Sequence, residues 1–367
     1  MIKTVIIVLG FVVIMSALVA LKLETSRDFT IHGRIAISGE EIWREGQFEN
    51  THFDSSNKAV TVLSGSKGAY ISRPFKTEFP FNEVVLTWNC QQSEGGYLTA
   101  SVRASKDNQA WTGWYEIARW PGLKSGREVG VKRDQDGYIN EDYLVLSQKH
   151  NHVQFRFELE SSDGEGGLHL ESTYLVYTDT RANYFAFRRH SPSADLRLPE
   201  VNLEVPYLSQ QRLPDSISGK TCSPTSLTMV MNFHGVKVSP LEVAGKCYDA
   251  PNDIYGNWPF NITVARNHGL TSWVDRHNSF GEIAKELQEG FPVVLSIAFR
   301  EGELKGSPVS QTDGHLIVVR GFTSDGNVIC NDPAFHNSAE GVIIYDRNEL
   351  EKAWTGHHGV AYHLRPF

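Results

Sequence analysis

Apolar and polar positions alternate along several segments in the first half of the chain. Residues 84–90, 98–105 and 153–160 follow this period of two, with one exception at Val85. The period sends successive side chains to opposite faces of a strand. Turn-like stretches rich in Gly and Asp separate the segments, and no long amphipathic helix intervenes. The pattern predicts an all-β sandwich domain over residues 28–187.

The pattern changes after this region. Residues 188–204 carry scattered prolines and charges without a sustained period, which predicts a linker. Ser223-Pro224 and Ser239-Pro240 then each place a capping Ser before a Pro in the first helical turn, so a helix is predicted at each. The same rules predict further helices, which begin at or after Pro259, Ser279 and Asp346.

Strand-like apolar runs dominate the rest of the chain. They are Val293–Phe299, His315–Phe322, Asn327–Asp332, Gly341–Tyr345 and Val360–Leu364. The turn Ser324-Asp325-Gly326 joins the second and third runs into a hairpin. Helices followed by an antiparallel sheet predict an α+β domain over residues 205–367.

The N-terminus carries an uncharged run, Thr4–Leu21, between Lys3 and Lys22. Its 18 residues would span about 27 Å as a helix, close to the thickness of a hydrocarbon core. Residues 1–22 are therefore predicted to be a signal peptide or a membrane anchor, with a buried globular helix as the alternative. Leu18 interrupts the small residues that a cleavage site needs, which favours the uncleaved anchor. The protein is expected to be exported, either anchored to the membrane and facing outward, or secreted.

The amino-acid composition narrows the range of binding partners and cofactors to be expected. The formal charge is 35 − 43 = −8, so no nucleic-acid partner is expected, because such proteins usually carry a basic surface. The four cysteines form no C-x-x-C pair, so neither a zinc site nor a redox motif is predicted. Neighbours such as His357-His358 point apart, and no other ligand is spaced to join them. No metal and no cofactor are therefore expected.

Cys222 stands one residue before the predicted Ser223-Pro224 helix start. Unpaired backbone N–H groups and the positive end of the helix dipole favour a thiolate at that position, and the thiolate is the nucleophilic form of cysteine. The alternative is a small buried side chain near a helix cap. The position makes Cys222 the candidate nucleophile.

His315 and Asp332 lie on the two strands of the predicted hairpin. A histidine at the start of a strand can reach a helix terminus and take the proton of a thiol. Hairpin pairing would bring Asp332 beside it, where a carboxylate orients the ring and supports the imidazolium. Asn331 is the alternative orienter, although strand parity turns it away. The alternatives are a structural histidine and a turn aspartate.

Gln210 precedes the candidate nucleophile by 222 − 210 = 12 residues. A side-chain amide there could donate a hydrogen bond to an oxyanion, together with the backbone N–H of Cys222. Gln211 remains open as the donor, and an ordinary surface glutamine is the alternative.

Four motifs in this order resemble the bacteriocin-processing, double-glycine type of cysteine peptidase. They are Val-Pro-Tyr-Leu-Ser-Gln, Cys-Ser-Pro-Thr-Ser-Leu, Gly-His-Leu-Ile-Val-Val and Asn-Asp-Pro-Ala, between residues 203 and 367. The resemblance implies a papain-like fold with Cys222 as nucleophile, His315 as general base, Asp332 as orienter and Gln210 as oxyanion donor. The expected activity is hydrolysis of peptide bonds, and acyl or peptidyl transfer is the nearest variant.

The chain departs from the transporter-linked members of that family. Ser223 stands where those members usually have Gly, and residues 212–220 form an enlarged loop before the cysteine. No G-x-x-x-x-G-K-[ST] motif of an ATPase occurs. These features resemble a stand-alone exported branch, so cleavage after a double glycine is not predicted.

The first domain contains a group of aromatic residues that includes Trp111, Trp114 and Tyr115. These side chains could form a platform for cell-wall polysaccharide, or they could fill the core of the sandwich. A catalytically silent cell-surface binding protein is the rival to the peptidase, but all four candidate catalytic positions are present.

Overall fold

A computed structural model describes residues 29–91, 96–122, 133–161, 168–190 and 197–366. The predicted anchor or signal peptide, residues 1–22, lies outside these residues. No helix in the described ranges is both long enough and apolar enough to span a membrane.

The first half of the chain is rich in antiparallel strands. They are β1 (Phe29–Ser38), β2 (Gln47–Glu49), β3 (Thr51–Asp54), β4 (Ala59–Val62), β5 (Lys67–Ile71), β6 (Phe75–Gln91), β7 (Tyr97–Ser105), β8 (Tyr115–Trp120), β9 (Gly137–Asn140), β10 (Tyr143–Glu160) and β11 (His169–Ala182). Helix α1 (Glu40–Arg44) follows β1, and α2 (Tyr184–His190) follows β11. The strands run in the order β2-β5-β10-β6-β11-β4-β3, with β1 on β11 and with β7 and β9 on β10. The prediction of a β-rich N-terminal domain is confirmed.

The second half combines helices with a second sheet. The helices are α3 (Asp215–Ser218), α4 (Cys222–Phe233), α5 (Pro240–Cys247), α6 (Trp258–Asn267), α7 (Phe280–Gln288), α8 (Ser338–Gly341) and α9 (Arg347–Thr355). The strands are β12 (Val201–Asn202), β13 (Leu270–Arg276), β14 (Val293–Phe299), β15 (Thr312–Phe322), β16 (Val328–Asn331), β17 (Val342–Tyr345) and β18 (Val360–Pro366). Their order is β13-β18-β14-β15-β16-β17, with β12 on β15. The α+β prediction for this half is confirmed.

Some local boundaries differ from the predictions: α6 begins at Trp258, one residue before the predicted Pro259, and further differences concern α4 and the linker. Helix α4 begins at Cys222, and Thr221 occupies its N-cap position without a side-chain capping bond, so the assignment of Ser223 as cap was wrong. The first turn tolerates Pro224 because its missing N–H has no partner in the helix. Within the predicted linker, Val201–Asn202 pairs with β15 as an edge strand.

A buried amide joins the two halves of the molecule. The side chain of Asn89 on β6 donates to the carbonyl of Ser272 on β13 at 2.8 Å and accepts from the Ser272 N–H at 3.0 Å. It also donates to the hydroxyl of Ser172 on β11 at 3.0 Å. Asn89 is 1% exposed, so these backbone groups have no access to water. The Asn89 side chain therefore bonds Ser272 as the backbone of a neighbouring strand would, and it links the two sheets.

We predict that Asn89→Ala lowers the free energy of unfolding by about 1–3 kcal/mol, because it leaves buried backbone groups of Ser272 without partners. Urea unfolding would measure the change. The exposed Asn57, which bonds only within its own turn, gives the matched control Asn57→Ala. Equal unfolding free energies for the two variants would contradict this account of the bridge.

A second junction involves the turn between β9 and β10. The carboxylate of Asp142 accepts a hydrogen bond from the backbone N–H of Trp258, the first residue of α6. Tyr143 stacks on the Trp258 ring, with centroids 5.7 Å apart and planes 9° from parallel. Burial raises the pKa of Asp142 to about 8, so the folded state favours its neutral form.

This raised pKa predicts a pH-dependent stability. The folded state retains a proton that the unfolded chain releases above about pH 4, so the free energy of unfolding falls as pH rises from about 4 to about 8, by at most about 1.4 kcal/mol per pH unit. Asp142→Asn keeps the acceptor oxygen and removes the titration. Urea unfolding at pH 5 and pH 7 should therefore show wild type losing more stability than the variant. Parallel profiles would refute the assignment.

Candidate active site

Cys222 is the first residue of α4 and the half-buried member of the four cysteines. Burial would raise the pKa of its thiol, but a hydrogen bond from His315 and the charge of that ring outweigh this and lower the pKa. Backbone hydrogen bonds at Leu316 and Ser223 act in the same direction. Cys90, Cys247 and Cys330 are buried, and burial raises the pKa of each.

His315 lies between the thiol and a carboxylate. Its Nε2 is 2.8 Å from Oδ1 of Asp332, so Nδ1 is the ring nitrogen left for Cys222, whose side chain also hydrogen-bonds the ring. Burial would lower the pKa of His315, but Asp332 and Cys222 together raise it to about 10. The geometry favours an imidazolium beside a thiolate.

Asp332 is fully buried and held by several donors. Its Oδ1 also accepts from the N–H of Ala334 at 3.0 Å, and its Oδ2 accepts from the hydroxyl of Tyr345 at 2.8 Å. Burial would raise the pKa of this carboxyl, but the charge and hydrogen bond of His315 outweigh it and lower the pKa. Tyr345 ends a predicted strand, and nothing in the sequence pattern marked it as a partner of the site.

The hairpin brings His315 and Asp332 together, though not as directly opposed residues. Val318 pairs with Asn331 and Val319 with Cys330, so Asp332 follows the end of β16 and reaches His315 diagonally. The alternative orienter, Asn331, donates instead to the carbonyl of Val205 at 3.1 Å, as strand parity predicts.

Polar contacts fix α4 against the sheet. The hydroxyl of Ser226 donates to the carbonyl of Leu316, next to His315, at 2.9 Å. The hydroxyls of Ser223 and Tyr362 lie 3.0 Å apart. All these side chains are fully or almost fully buried, so the start of the helix and the β15 strand are held in one arrangement.

Gln210 is buried in a 3-10 turn, Gln210–Arg212. Its side-chain nitrogen donates to the carbonyl of Ser218 at 2.7 Å, four residues before the cysteine (222 − 218 = 4). Its backbone N–H donates to the carbonyl of Pro333, the neighbour of Asp332, at 2.9 Å. Gln211 bonds the carbonyl of Ala334 instead. Gln210 therefore bridges the loops that carry Cys222 and Asp332.

The aromatic group of the first domain is arranged differently from an open platform. Tyr115 is buried and bonds Asp134, so its proposed place in a sugar-binding surface was wrong. Trp111 and Trp114 are half-buried. The guanidinium of Arg103 lies 4.8 Å and 4.5 Å from their ring centroids, and this cation occupies the place a sugar would take on those faces.

A buried histidine pair lies at the domain junction. The Nε2 atoms of His277 and His363 are 2.9 Å apart, and with Asp275 they form a group whose donor atoms are close enough to hold a metal ion. Burial would lower the pKa of His277, but Glu282 and Asp275 raise it, whereas burial lowers that of His363. Besides a bound metal ion, a hydrogen bond from the protonated ring of His277 to the neutral ring of His363 explains why their Nε2 atoms are 2.9 Å apart. Spacing along the sequence draws attention only to His357-His358, because the members of this group other than Asp275 and His277 are distant along the chain.

A cleft of about 510 Å³ opens at Cys222. The second half of the chain contributes Gly219 and Lys220 before the cysteine, and Gly314 and Leu316 on either side of His315. Residues Asn140–Tyr143 of the β-rich half form another part of the lining. The candidate thiolate therefore faces a space large enough for part of a peptide chain.

Comparison with known protein families places both halves of the chain. Residues 202–362 match the model described as the Peptidase_C39 like family, and residues 36–169 match the Peptidase C39 N-terminal domain. Both matches point to the C39 class of papain-like cysteine peptidases. The chain belongs to the C39-like peptidase family, together with its N-terminal domain.

Solved structures give weaker likenesses. A structure described as a C39-like peptidase from Bacillus anthracis is 18% identical, with 46% of this chain and 98% of that chain covered and a TM-score of 0.36. A double glycine motif protease from a transporter, bound to a leader peptide, is 20% identical over 46% of this chain and 95% of its own, with a TM-score of 0.32. The search of curated proteins found no match.

We predict that iodoacetamide modifies Cys222 selectively near neutral pH, because the other cysteines are buried and carry raised pKa values. The lowered pKa of Cys222 should keep the alkylation rate high as pH falls from 8 to 6, whereas an ordinary thiol slows about tenfold per unit. Mass spectrometry of the native protein would locate and time the modification.

His315→Ala should slow this alkylation, because it removes the cation that stabilises the thiolate. His336→Ala, a change of an exposed histidine, is the matched control and should react like wild type. A rate for Cys222 that follows a free thiol at every pH, with no effect of His315→Ala, would contradict the assignment.

Proposed function

We propose that this chain is an exported cysteine peptidase that hydrolyses peptide bonds through Cys222, His315 and Asp332. The observation that carries the proposal is the continuous chain from thiol to imidazole to buried carboxylate at the N-terminus of α4. The family of the chain supports a peptide as substrate.

Each residue takes one role in the reaction. The Cys222 thiolate attacks the carbonyl carbon of the peptide bond, and the His315 imidazolium gives its proton to the leaving amine. His315 then takes a proton from water, which attacks the thioester and releases the acid. Asp332 keeps Nε2 of the ring engaged and stabilises the imidazolium throughout.

Gln210 and the backbone N–H of Cys222 are the proposed donors to the oxyanion. One amide hydrogen of Gln210 is engaged by Ser218 at 2.7 Å, and we assign the second to the developing negative charge. A buried donor held in place before the reaction stabilises such a charge without reorganisation. Loss of one oxyanion donor typically costs about 10²–10³-fold in rate.

The proposed domain limits are residues 28–187 for the first domain, 188–204 for the linker and 205–367 for the peptidase domain. Residues 1–22 are proposed as the signal peptide or anchor that brings the protein to the outer face of the membrane. Cell-wall polysaccharide remains a proposed partner of the first domain, at a surface other than the Trp111–Arg103–Trp114 stack.

The first domain is proposed to be a β-sandwich that shares one long strand between its layers. The beginning of β10 pairs with β6, and its end pairs with β7 and β5. Trp88 of β6 contacts Phe157 of β10 edge-on, with ring centroids 5.9 Å apart. This contact between β6 and the end of β10 supports face-to-face packing of the two layers of the domain.

Peptide hydrolysis can be tested with a library of proteome-derived peptides, in which mass spectrometry detects new termini. The best-cleaved sequence would then be made as a fluorogenic substrate for measuring kcat/KM. We predict that Cys222→Ala lowers the rate by about 10⁶-fold, to background, and that Asp332→Asn lowers it by about 10⁴-fold, since an orienting residue contributes less than the nucleophile.

His336→Ala again serves as the matched control and should retain the wild-type rate. Full activity of Cys222→Ala would disprove the role of the thiol. A wild-type protein that is alkylated at Cys222 yet cleaves no peptide of the library would point to a binding role instead.

A further inference from the structure

The cleft at Cys222 is built by both domains. One part of its lining is the turn that joins β9 and β10 in the first domain, Asn140–Tyr143. The lining also includes Gly219–Lys220 ahead of the cysteine, the Asp253–Gly256 loop ahead of α6, and the His357-His358 turn ahead of β18. The peptidase-like domain alone would therefore leave this side of the cleft open.

The turn is attached firmly to the peptidase-like domain. Tyr143 stacks on Trp258 at 5.7 Å, and Asp142 accepts a hydrogen bond from the Trp258 backbone. The guanidinium of the buried Arg276, on β13, lies 5.2 Å from the Tyr143 ring. These contacts hold the turn in a fixed position beside the cleft.

Glu141 is the charged residue that the turn exposes to the cleft. It adopts a left-handed backbone conformation, with φ of 56°, and its side chain is exposed. The other exposed carboxylates of the lining are neutralised: Asp253 lies 2.6 Å from the ammonium of Lys220, and Asp313 lies 2.7 Å from the guanidinium of Arg300. Within the described ranges, Glu141 has no ion-pair partner.

We propose that the Asn140–Tyr143 turn forms one wall of the substrate groove, and that Glu141 selects peptides with a Lys or Arg side chain beside the scissile bond. The first domain is then a determinant of specificity as well as a possible tether. The identity of the ligand as a peptide rests on the proposed function. The electrostatic effect of Glu141 on charged molecules in the cleft does not depend on that function.

Charged thiol reagents measure that effect directly. Methanethiosulfonates react when a thiolate attacks the sulfenyl sulfur, so that a mixed disulfide forms and methanesulfinate leaves. The probes are the trimethylammonium-ethyl reagent, which is cationic, and the sulfonato-ethyl reagent, which is anionic. Their rate constants at Cys222 of the full chain give a cation-to-anion ratio that cancels changes in intrinsic thiol reactivity. Cys222→Ala supplies the background.

We expect Glu141→Lys to lower this ratio roughly fivefold at low salt, and high salt to reduce the effect by screening. The matched control is Glu78→Lys, which makes the same charge change at an exposed position of the same domain outside the cleft lining. That variant should keep the wild-type ratio. Equal ratios in wild type, Glu141→Lys and Glu78→Lys would overturn the proposal.

Peptide substrates separate this proposal from the proposed function. Three fluorogenic peptides that differ only by Lys, Gln or Glu next to the cleaved bond should rank in that order for wild type, and Glu141→Lys should reverse the ranking. A shifted reagent ratio without any peptide hydrolysis would support the wall and contradict the peptidase. Hydrolysis with an unchanged reagent ratio and no preference among the three peptides would support the peptidase and contradict the wall.

Discussion

The buried carboxylate of Asp332 is the constraint on which the candidate site depends. An ionised carboxylate without access to water is costly unless charge and hydrogen bonds compensate for the lost hydration. Here His315, the Ala334 N–H and the Tyr345 hydroxyl surround its two oxygens. The resulting negative charge favours the protonated form of His315, and that cation in turn favours the thiolate of Cys222. The three groups therefore titrate as one unit.

The fold supplies the geometry that this unit needs. Helix α4 presents Cys222 at its N-terminus, where unpaired N–H groups favour a negative charge. Ser226 ties the helix to the carbonyl of Leu316 beside His315, so the thiol and the ring approach each other at a fixed distance. The first domain packs against α6 and β13 through Asn89, Asp142 and Tyr143, and it thereby extends the same rigid arrangement to the edge of the cleft.

Local patterns predicted much of this structure because they report on local physics. The alternation in residues 84–90 and 153–160 located β6 and β10. Ser239 caps its helix through the Glu242 N–H, and Asp346 caps α9. The resemblance of the motifs to the double-glycine type of cysteine peptidase placed Cys222, His315 and Asp332 in one site, whereas local signals predicted only the helix start and the hairpin. The start of α4 was misplaced because Ser-Pro is compatible with more than one position in the first turn.

Long-range contacts could not be predicted in the same way. Tyr345 reaches Asp332 through the pairing of β17 with β16, and the sequence fixes no such register by itself. The burial of Tyr115, the cover of Arg103 over two Trp rings, and the His277–His363 pair all depend on strands that are distant along the chain. The wall formed by Asn140–Tyr143 likewise depends on how the two domains pack, which a sequence pattern does not encode.

The pKa of the Cys222 thiol tests the central claim most directly. Thiolate absorbs at 240 nm, so a pH titration of wild type minus Cys222→Ala isolates this residue. We expect a thiolate signal that persists well below the ordinary thiol pKa of about 8.5, and that shifts back toward that value in His315→Ala. A single transition near the ordinary value, unchanged by the loss of His315, would show that Cys222, His315 and Asp332 do not act as one unit.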